Sequence, residues 1–381
     1  MGSTALAKQS SVPPNRHRLL LTAIILITAA IGYPCLSGAA TKPKITVALW
    51  VANGTDVLEF DPGDFKKGVH TNAPHLKLNS SAGFGAPQGV VFDTNKDLWV
   101  IDGGTTSTGG TVAPALDEFT PTQLGLLISA KKTNRTPTPH VSLTSTAFTF
   151  PQQAVFDSAG NLWVSDNGAN AVYVFTTAQL AAGGPQTPTV TITANPAFSG
   201  PLGIAFSLGG NLWIANNAAT TIYEFNAGDL PPPTTPASVN LIPNVILSDD
   251  GVADDGSIQG PWALVFDATG NLWSSNANPP NTVVEFAKAV LNTTGDPMPA
   301  VTLSPANEKH GTDTLAAPNG LAFDNLGDLA AISSASPFGA ALFIASQLVA
   351  GGAVLPDTLL FGKTTTLNAP AGCNFGPFFN K

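Results

Sequence analysis

The chain has 381 residues, of which 37 are Gly, 32 are Pro and only 11% are charged, with a formal net charge of −9. Abundant turn-forming residues and few charges are typical of a β-rich protein with many short connections. The negative charge repels phosphate backbones and anionic lipid surfaces, so we do not expect nucleic acid to be a partner.

Residues 1–40 have the features of a signal peptide. A basic flank at 16–18 precedes an uncharged apolar run over 19–31, and small residues follow over 37–40. The apolar run is shorter than the roughly 20 residues that a membrane span needs. We therefore expect cleavage near residue 40, a secreted or periplasmic protein, and no membrane span in the mature chain. An uncleaved N-terminal anchor is the alternative.

Five later segments repeat one pattern of two apolar stretches joined by a turn. Each begins with Pro, passes through Phe and a Gly-Asn or similar pair, and ends in a stretch that starts with Leu-Trp or Leu-Ala. They are PQGVVFDTNKDLWVID (87–102), PQQAVFDSAGNLWVSD (151–166), PLGIAFSLGGNLWIAN (201–216), PWALVFDATGNLWSSN (261–276) and PNGLAFDNLGDLAAIS (318–333). Strand, tight turn and strand are the signature of a β-hairpin.

Each hairpin is followed by the pattern of two further strands. The third strand ends in an aromatic residue, as in LDEF, VYVF, IYEF and VVEF, and the fourth is Pro-led or short, as in PHVSL and PTVTI. Between them, 120–124 and 176–180 predict one capped helical turn each. Four strands at a period of 50 to 64 residues are the layout of a propeller blade.

The two ends of the chain complement each other. Residues 48–60 supply a second and a third strand with Trp50 in the Trp position, and the missing first strand is at 370–375. The sequence therefore predicts an all-β fold: one six-bladed β-propeller over 41–381, a monomer closed by its C-terminal strand. A solenoid would need capping repeats instead. We expect the repeated Trp side chains to fill the wedges between blades, and Cys373 to be buried and inert.

The pattern P-x-G-h-x-F-D…G-N-L-W-V-x-D resembles the NHL-repeat propellers and their six-bladed relatives, the gluconolactonases and virginiamycin B lyases. The resemblance covers nearly the whole mature chain and implies the fold. It implies little about activity, because hydrolases, lyases and binding scaffolds share it. The His and Glu that such lyases use as acid and base have no counterpart here. Of the gluconolactonase metal ligands, Asn319 resembles one Asn, and no carboxylate occupies the other positions that follow each Pro.

Candidate binding residues cluster where first strands start and second strands end, because these ends meet at one mouth of the central channel. The predicted ligand-binding residues are Gln88, Asp102, Gln152, Asp166, Asn216, Trp262, Asn276 and Asn319. Amides and an indole at a concave opening suit sugars and polar polymers. For the acidic and amide residues that end each second strand, hydrogen bonding to nearby backbone is the simpler explanation.

An acidic loop over 248–257 is the candidate metal site. It carries Asp249, Asp250, Asp254 and Asp255, which could chelate Ca²⁺ or could simply be solvated. We expect the loop to overhang the channel mouth, and His310 is the only histidine near that face.

Two functions from different classes follow. The first is a non-catalytic secreted propeller that binds a protein, glycan or cell-envelope ligand at the mouth. The alternative is a metal-assisted, lactonase-like hydrolase. The scarcity of carboxylates among the residues that follow each Pro favours the first; we call these residues the inner ring.

Overall fold

Each blade of the propeller is one antiparallel sheet whose first strand lies innermost. The computed structural model describes residues 44–107, 110–129, 134–249, 257–306, 314–349 and 351–379. In the first three blades the strands, from the innermost outwards, are Pro370–Pro377, Val47–Asn53, Asp56–Phe60 and Leu76–Leu78; Pro87–Phe92, Leu98–Asp102, Ala115–Phe119 and Val141–Thr144; and Pro151–Phe156, Leu162–Asp166, Ala171–Phe175 and Val190–Ala194.

The remaining three blades repeat this order without interruption. Their strands are Pro201–Phe206, Leu212–Asn216, Thr221–Phe225 and Val245–Ser248; Pro261–Phe266, Leu272–Asn276, Val283–Phe286 and Val301–Leu303; and Pro318–Phe323, Leu329–Ser333, Gly339–Phe343 and Thr358–Phe361. A two-stranded hairpin, Thr105–Ser107 with Gly110–Val112, extends blade two beyond its second strand. The architecture confirms the predicted all-β, six-bladed propeller.

The turn between the first and second strands forms because an Asp side chain organises it. In blade three, Asp157 Oδ1 accepts hydrogen bonds from the backbone N–H groups of Ala159 and Asn161, both at 2.9 Å. An Asp that bonds backbone two residues ahead stabilises a tight turn. Asp267 does the same for Thr269 and Asn271 in blade five. The Phe-Asp pair is therefore the local signal that ends the innermost strand in four of the six blades, and Phe206-Ser207 takes its place in blade four.

The repeated Trp side chains pack against the next blade. All five are 0–3% exposed. Each indole meets the Phe that ends the following innermost strand, edge to face, with ring centroids 5.4–6.4 Å apart; the pairs are Trp50–Phe92, Trp99–Phe156, Trp163–Phe206, Trp213–Phe266 and Trp273–Phe323. Blade six has Ala330 in this position, against Phe375 and Cys373 of blade one. The prediction that these residues fill the wedges between blades is confirmed.

The ring closes through the C-terminal strand, as predicted. Pro370–Pro377 pairs antiparallel with Val47–Asn53 and places Asn374 opposite Trp50. Cys373 is buried within this strand. Burial alone raises the pKa of its thiol far above the ordinary value, so the thiolate is disfavoured. The prediction of a buried, inert cysteine agrees with this environment.

A second connection between blades has no counterpart in the predicted pattern. The segment between the third and fourth strands of a blade reaches back and pairs in parallel with the outermost strand of the preceding blade. We call these segments straps; they are Gly68–His70, Asn134–Arg135, Gly184–Pro185, Ala237–Leu241 and the single bridging residues Gly295 and Gly352. Straps cover the outer sheet edges, which would otherwise present unpaired backbone groups.

One of the two predicted helical turns is a longer helix. Thr176 and Gln179 form a capping box that starts the short helix Thr177–Ala182. The other helix, Pro121–Ser129, continues beyond the single turn predicted to end at Leu124. It continues because Leu124 and Ile128, one helical turn apart, are both buried in the core between blades one and two. Short 3₁₀ turns occur at Pro62–Asp64, Asn217–Ala219, Lys288–Val290 and Lys363–Thr365.

The propeller unit spans Pro43–Lys381. Residues 1–40 lie outside the described residues, so a signal peptide and its cleavage stay predictions. Within the described ranges, no helix is long and apolar enough to cross a membrane.

Candidate functional site

The predicted mouth residues share one end of the blades. Each Pro that starts an innermost strand is paired with the residue that ends the second strand; the pairs are Pro87–Asp102, Pro151–Asp166, Pro201–Asn216, Pro261–Asn276, Pro318–Ser333 and Pro370–Asn53. Register shifts follow each Pro, so the next residue leaves the regular ladder. Two rings of side chains therefore lie at this end of the blades. The inner ring consists of the residues that follow each Pro, and the outer ring consists of the residues that end each second strand.

The acidic residues of the outer ring are engaged by backbone. Asp166 Oδ2 accepts from Thr149 N at 2.8 Å, and its Oδ1 accepts from Phe150 N and Ala169 N at 2.9 Å each. Asp102 accepts in the same way from the backbone of Gly85, Ala86 and Gly104 at 2.7–3.0 Å. Both carboxylates thus fix the loop that enters their own blade.

The amide and hydroxyl members of this ring play the same part. Asn276 Oδ1 accepts from Gln259 N at 3.0 Å, and Ser333 Oγ accepts from Ala316 N at 3.1 Å. Asn216 accepts from Ser199 N, and Asn53 from Asn368 N and Ala369 N. The whole ring is only 0–2% exposed. The simpler explanation offered by the sequence, backbone hydrogen bonding, accounts for the geometry of Asp102, Asp166, Asn216 and Asn276.

We expect the Asp166→Ala substitution to lower the free energy of unfolding by about 2–4 kcal/mol, because the N–H groups of Thr149, Phe150 and Ala169 lose their acceptor in partly buried hydrogen bonds. Asp166→Asn keeps one acceptor oxygen and should cost clearly less. Chemical denaturation of both variants measures the difference. Wild-type stability of Asp166→Ala would show that this carboxylate does not hold its loop.

The inner ring is less uniform and contains the accessible candidates. Gln88 and Trp262 are half-buried, whereas Gln152 and Asn319 are almost fully buried. Asn319 Nδ2 donates to the carbonyl oxygen of Pro370 at 2.8 Å. Its Oδ1 is buried and accepts no hydrogen bond from any residue that the structure describes. The mouth therefore holds a fixed amide with one unsatisfied oxygen.

Neighbouring innermost strands approach each other closely below the mouth. A methyl group on Gly203 would lie 2.4 Å from the carbonyl oxygen of Trp262, and one on Gly372 would lie 2.6 Å from that of Gln88. Such contacts are possible only for glycine, which explains the Pro-x-Gly pattern. Gln153 replaces the glycine in blade three and Ala263 replaces it in blade five; the Nε2 of Gln153 lies 3.4 Å from Gln88 O. Sequence reasoning missed Gln153, although its departure from the repeat marked it.

The candidate metal loop lies largely outside the described residues. Asp249 is described, and Gln259 Nε2 donates to its carboxylate. The described residues do not include Asp250, Asp254, Asp255 or His310. The prediction that the acidic loop overhangs the mouth therefore concerns residues outside the described ones. Among the residues that are described, no group of three or more His, Cys, Asp or Glu side chains is placed to hold a metal ion. Ca²⁺ binding by the loop stays a prediction.

Cavities occur at the other end of the blades, in the wedges beside the strand-one-to-strand-two turns. They measure about 460 Å³ between blades two and three, 620 Å³ between blades three and four, and 570 Å³ between blades five and six. None of the predicted mouth residues lines these three cavities. In the third cavity, burial raises the pKa of Glu285 and of Asp324. Sequence reasoning did not anticipate this face.

Comparison with known proteins establishes the fold class alone. No protein-family model and no curated protein sequence matches the chain. Solved structures with the same fold include a protein of unknown function from Bacteroides caccae (10% identity, 87% of this chain and 99% of that chain, TM-score 0.54). Another is a nidogen/laminin complex (12% identity, 88% of this chain and 100% of that chain, TM-score 0.53). A third is a putative 6-phosphogluconolactonase from Bacteroides fragilis (11% identity, 86% of this chain and 97% of that chain, TM-score 0.52). The chain is thus a propeller with lactonase-like and unknown-function structural neighbours.

Proposed function

We propose that the protein is an exported, non-catalytic propeller that binds a neutral polar polymer, a glycan in the first instance, at the mouth formed by Gln88, Trp262 and Asn319. The observation that carries the proposal is the Asn319 amide. A buried acceptor without a donor is unfavourable, and a ligand hydroxyl can supply the missing hydrogen bond.

Neighbouring groups complete a sugar-binding surface. Trp262 and Asn319 follow the Pro of adjacent innermost strands, so they occupy the same level of the mouth on blades five and six. A half-buried indole offers a flat apolar face to a sugar ring, and the Gln88 amide offers a donor and an acceptor. These three side chains carry no charge, so binding does not require a carboxylate to be desolvated.

The arrangement of the carboxylates favours binding over the lactonase-like alternative. A hydrolase of that kind would need carboxylate oxygens available to a metal ion at the mouth. Asp102 and Asp166 end second strands opposite the Pro that precedes an inner-ring residue, and both oxygens of each accept backbone hydrogen bonds. Recruiting them as ligands would release the loops that they fix.

Glycan-array binding by the wild type and by a Trp262→Ala, Asn319→Ala double variant tests the proposal. We expect the double variant to bind at least tenfold more weakly. Leu208→Ala is the matched control, because Leu208 is an exposed apolar residue in a turn at the opposite end of a blade. Equal binding by all three proteins would place the site elsewhere. Chelator-sensitive turnover of a sugar lactone would establish the hydrolase instead.

A further inference from the structure

The cavity between blades two and three differs from its counterparts in hydrogen bonding. In blade three, Asn161 Nδ2 and Trp163 Nε1 both donate to Asp157 Oδ2, at 2.9 and 3.0 Å. Blade five repeats this arrangement with Asn271, Trp273 and Asp267 at 2.9 and 3.3 Å. In both blades an amide N–H and the indole N–H donate to the same carboxylate oxygen, so both donors have an acceptor within the wedge.

Blade two carries an acid where blades three and five carry the amide. Asp97 stands in the place of Asn161, and an ionised carboxylate cannot donate to Asp93. Trp99 lines the cavity and is 3% exposed, and its Nε1, like those of Trp50 and Trp213, has no hydrogen-bond partner among the described residues. The wedge therefore contains a buried donor, Trp99 Nε1, for which the described residues provide no acceptor.

Negative charge accumulates around the same donor. Glu118 is the cross-strand partner of Trp99, so both side chains lie on one face of the sheet. His140 Nδ1 lies 3.0 Å from Glu118 Oε1, and among the described histidines His140 alone lines the cavity. Burial, followed by Asp93 and then Glu118, raises the pKa of Asp97 to about 6, and His140 opposes this shift. Carboxylates outnumber the imidazole, which favours a cationic occupant.

The rest of the wall is mixed: Asp157, Ser158 and Thr177 line it together with apolar side chains. The apolar part is formed by Phe156, Val141 and Leu180. Its volume of about 460 Å³ is within the range of small-molecule sites, about 300–1,000 Å³. Among the described side chains no group of three ligating residues converges for a metal ion. An organic cation with a carbon framework suits this combination better than a bare ion.

We propose that this cavity binds a hydroxylated organic cation, an amino sugar being the simplest, with its ammonium group on Asp97 and Glu118 and a ligand oxygen accepting from Trp99 Nε1. The ammonium group neutralises the excess negative charge, and the ring rests against the apolar part of the wall. The site is at the opposite end of the blades from the proposed glycan surface, so either proposal can fail without the other.

Calorimetric titration with glucosamine in its ammonium form tests the proposal, with neutral glucose and the diamine putrescine as comparison ligands. We expect glucosamine to bind at least tenfold more tightly than either. Asp97→Asn recreates the blade-three arrangement and should weaken glucosamine binding at least tenfold while the protein stays folded. Asp328→Asn, the same change at the same repeat position in blade six, is the matched control and should bind like the wild type.

The indole N–H resonance of Trp99 gives an independent readout. It should shift on addition of glucosamine, and it can be assigned because Trp99→Phe removes it. The proposal is overturned if Asp97→Asn binds glucosamine as well as the wild type does, if glucose or putrescine binds equally well, or if the Trp99 resonance does not move at saturation.

Discussion

Deletion of residues 369–381 is expected to leave an insoluble or molten product without cooperative unfolding. The deletion removes the innermost strand of blade one and exposes the paired edge of Val47–Asn53. It also removes Phe375 and Phe379, whose rings meet Phe65 and Trp50 at centroid distances of 6.0 and 6.5 Å. Unpaired edges and lost apolar packing together favour aggregation. Sedimentation and near-ultraviolet circular dichroism measure the outcome.

A circular permutant provides the matched control. Val47 is the register partner of Pro377, so a short linker can join residue 381 to residue 44 when the chain is opened between Asn368 and Ala369. The permutant then has the strand order of the other five blades and should fold with a melting temperature close to that of the wild type. A monomeric truncation with an unchanged melting temperature would contradict the closure argument.

Because of the straps, the loss of the C-terminal strand does not remove every contact between blades one and six. Gly68–His70 of blade one pairs with Thr358–Phe361 of blade six, so these blades are joined at their outer edges as well. This outer pairing has three residues and cannot replace the packing of an eight-residue innermost strand. We therefore expect the truncated chain to be loosely associated and misfolded, with residual strand content.

The repeat made the blades predictable, because hairpin and Trp positions recur at fixed spacing. The straps were not predictable in the same way. Asn134–Arg135 and Gly184–Pro185 are two residues long and have no alternation, and their partners are set by how neighbouring blades lie side by side. The helix Pro121–Ser129 exceeds the single turn predicted from the brief run that ends at Leu124. Its apolar spacing from Leu124 to Ile128 was the overlooked signal.

The candidate sites divide in a similar way. Hydrogen bonding by residues such as Asp166 was one of two interpretations open to the sequence, and only coordinates could show which N–H groups it accepts from. The cavity between blades two and three draws on Asp97, Glu118 and His140, which are separated by up to 43 residues. Aligning the repeats would have shown an acid at Asp97 where three copies have Asn. The wedge itself follows from packing between blades, which no single repeat encodes.

Replacing Trp163 by Ala is expected to lower the free energy of unfolding by about 3–5 kcal/mol, the usual cost of removing a large buried side chain. Trp163 is 3% exposed, and its indole meets Phe206 of blade four at a centroid distance of 5.4 Å. The change would leave a cavity between blades three and four that backbone pairing within each blade cannot close. Urea denaturation, followed by fluorescence and circular dichroism, measures the loss.

Phe substitutions separate the packing of these Trp residues from their hydrogen bonding. Trp163→Phe keeps an aromatic ring in the wedge and removes the donor to Asp157 Oδ2 at 3.0 Å, a hydrogen bond to a charged group worth about 1.5–3 kcal/mol. Trp99→Phe makes the same change at the same repeat position and the same burial, where Nε1 has no partner among the described residues. We therefore expect Trp163→Phe to be the more destabilising of the two, by about 1 kcal/mol or more. Equal losses would mean that the Asp157 contact adds nothing and that packing alone places an indole at these positions.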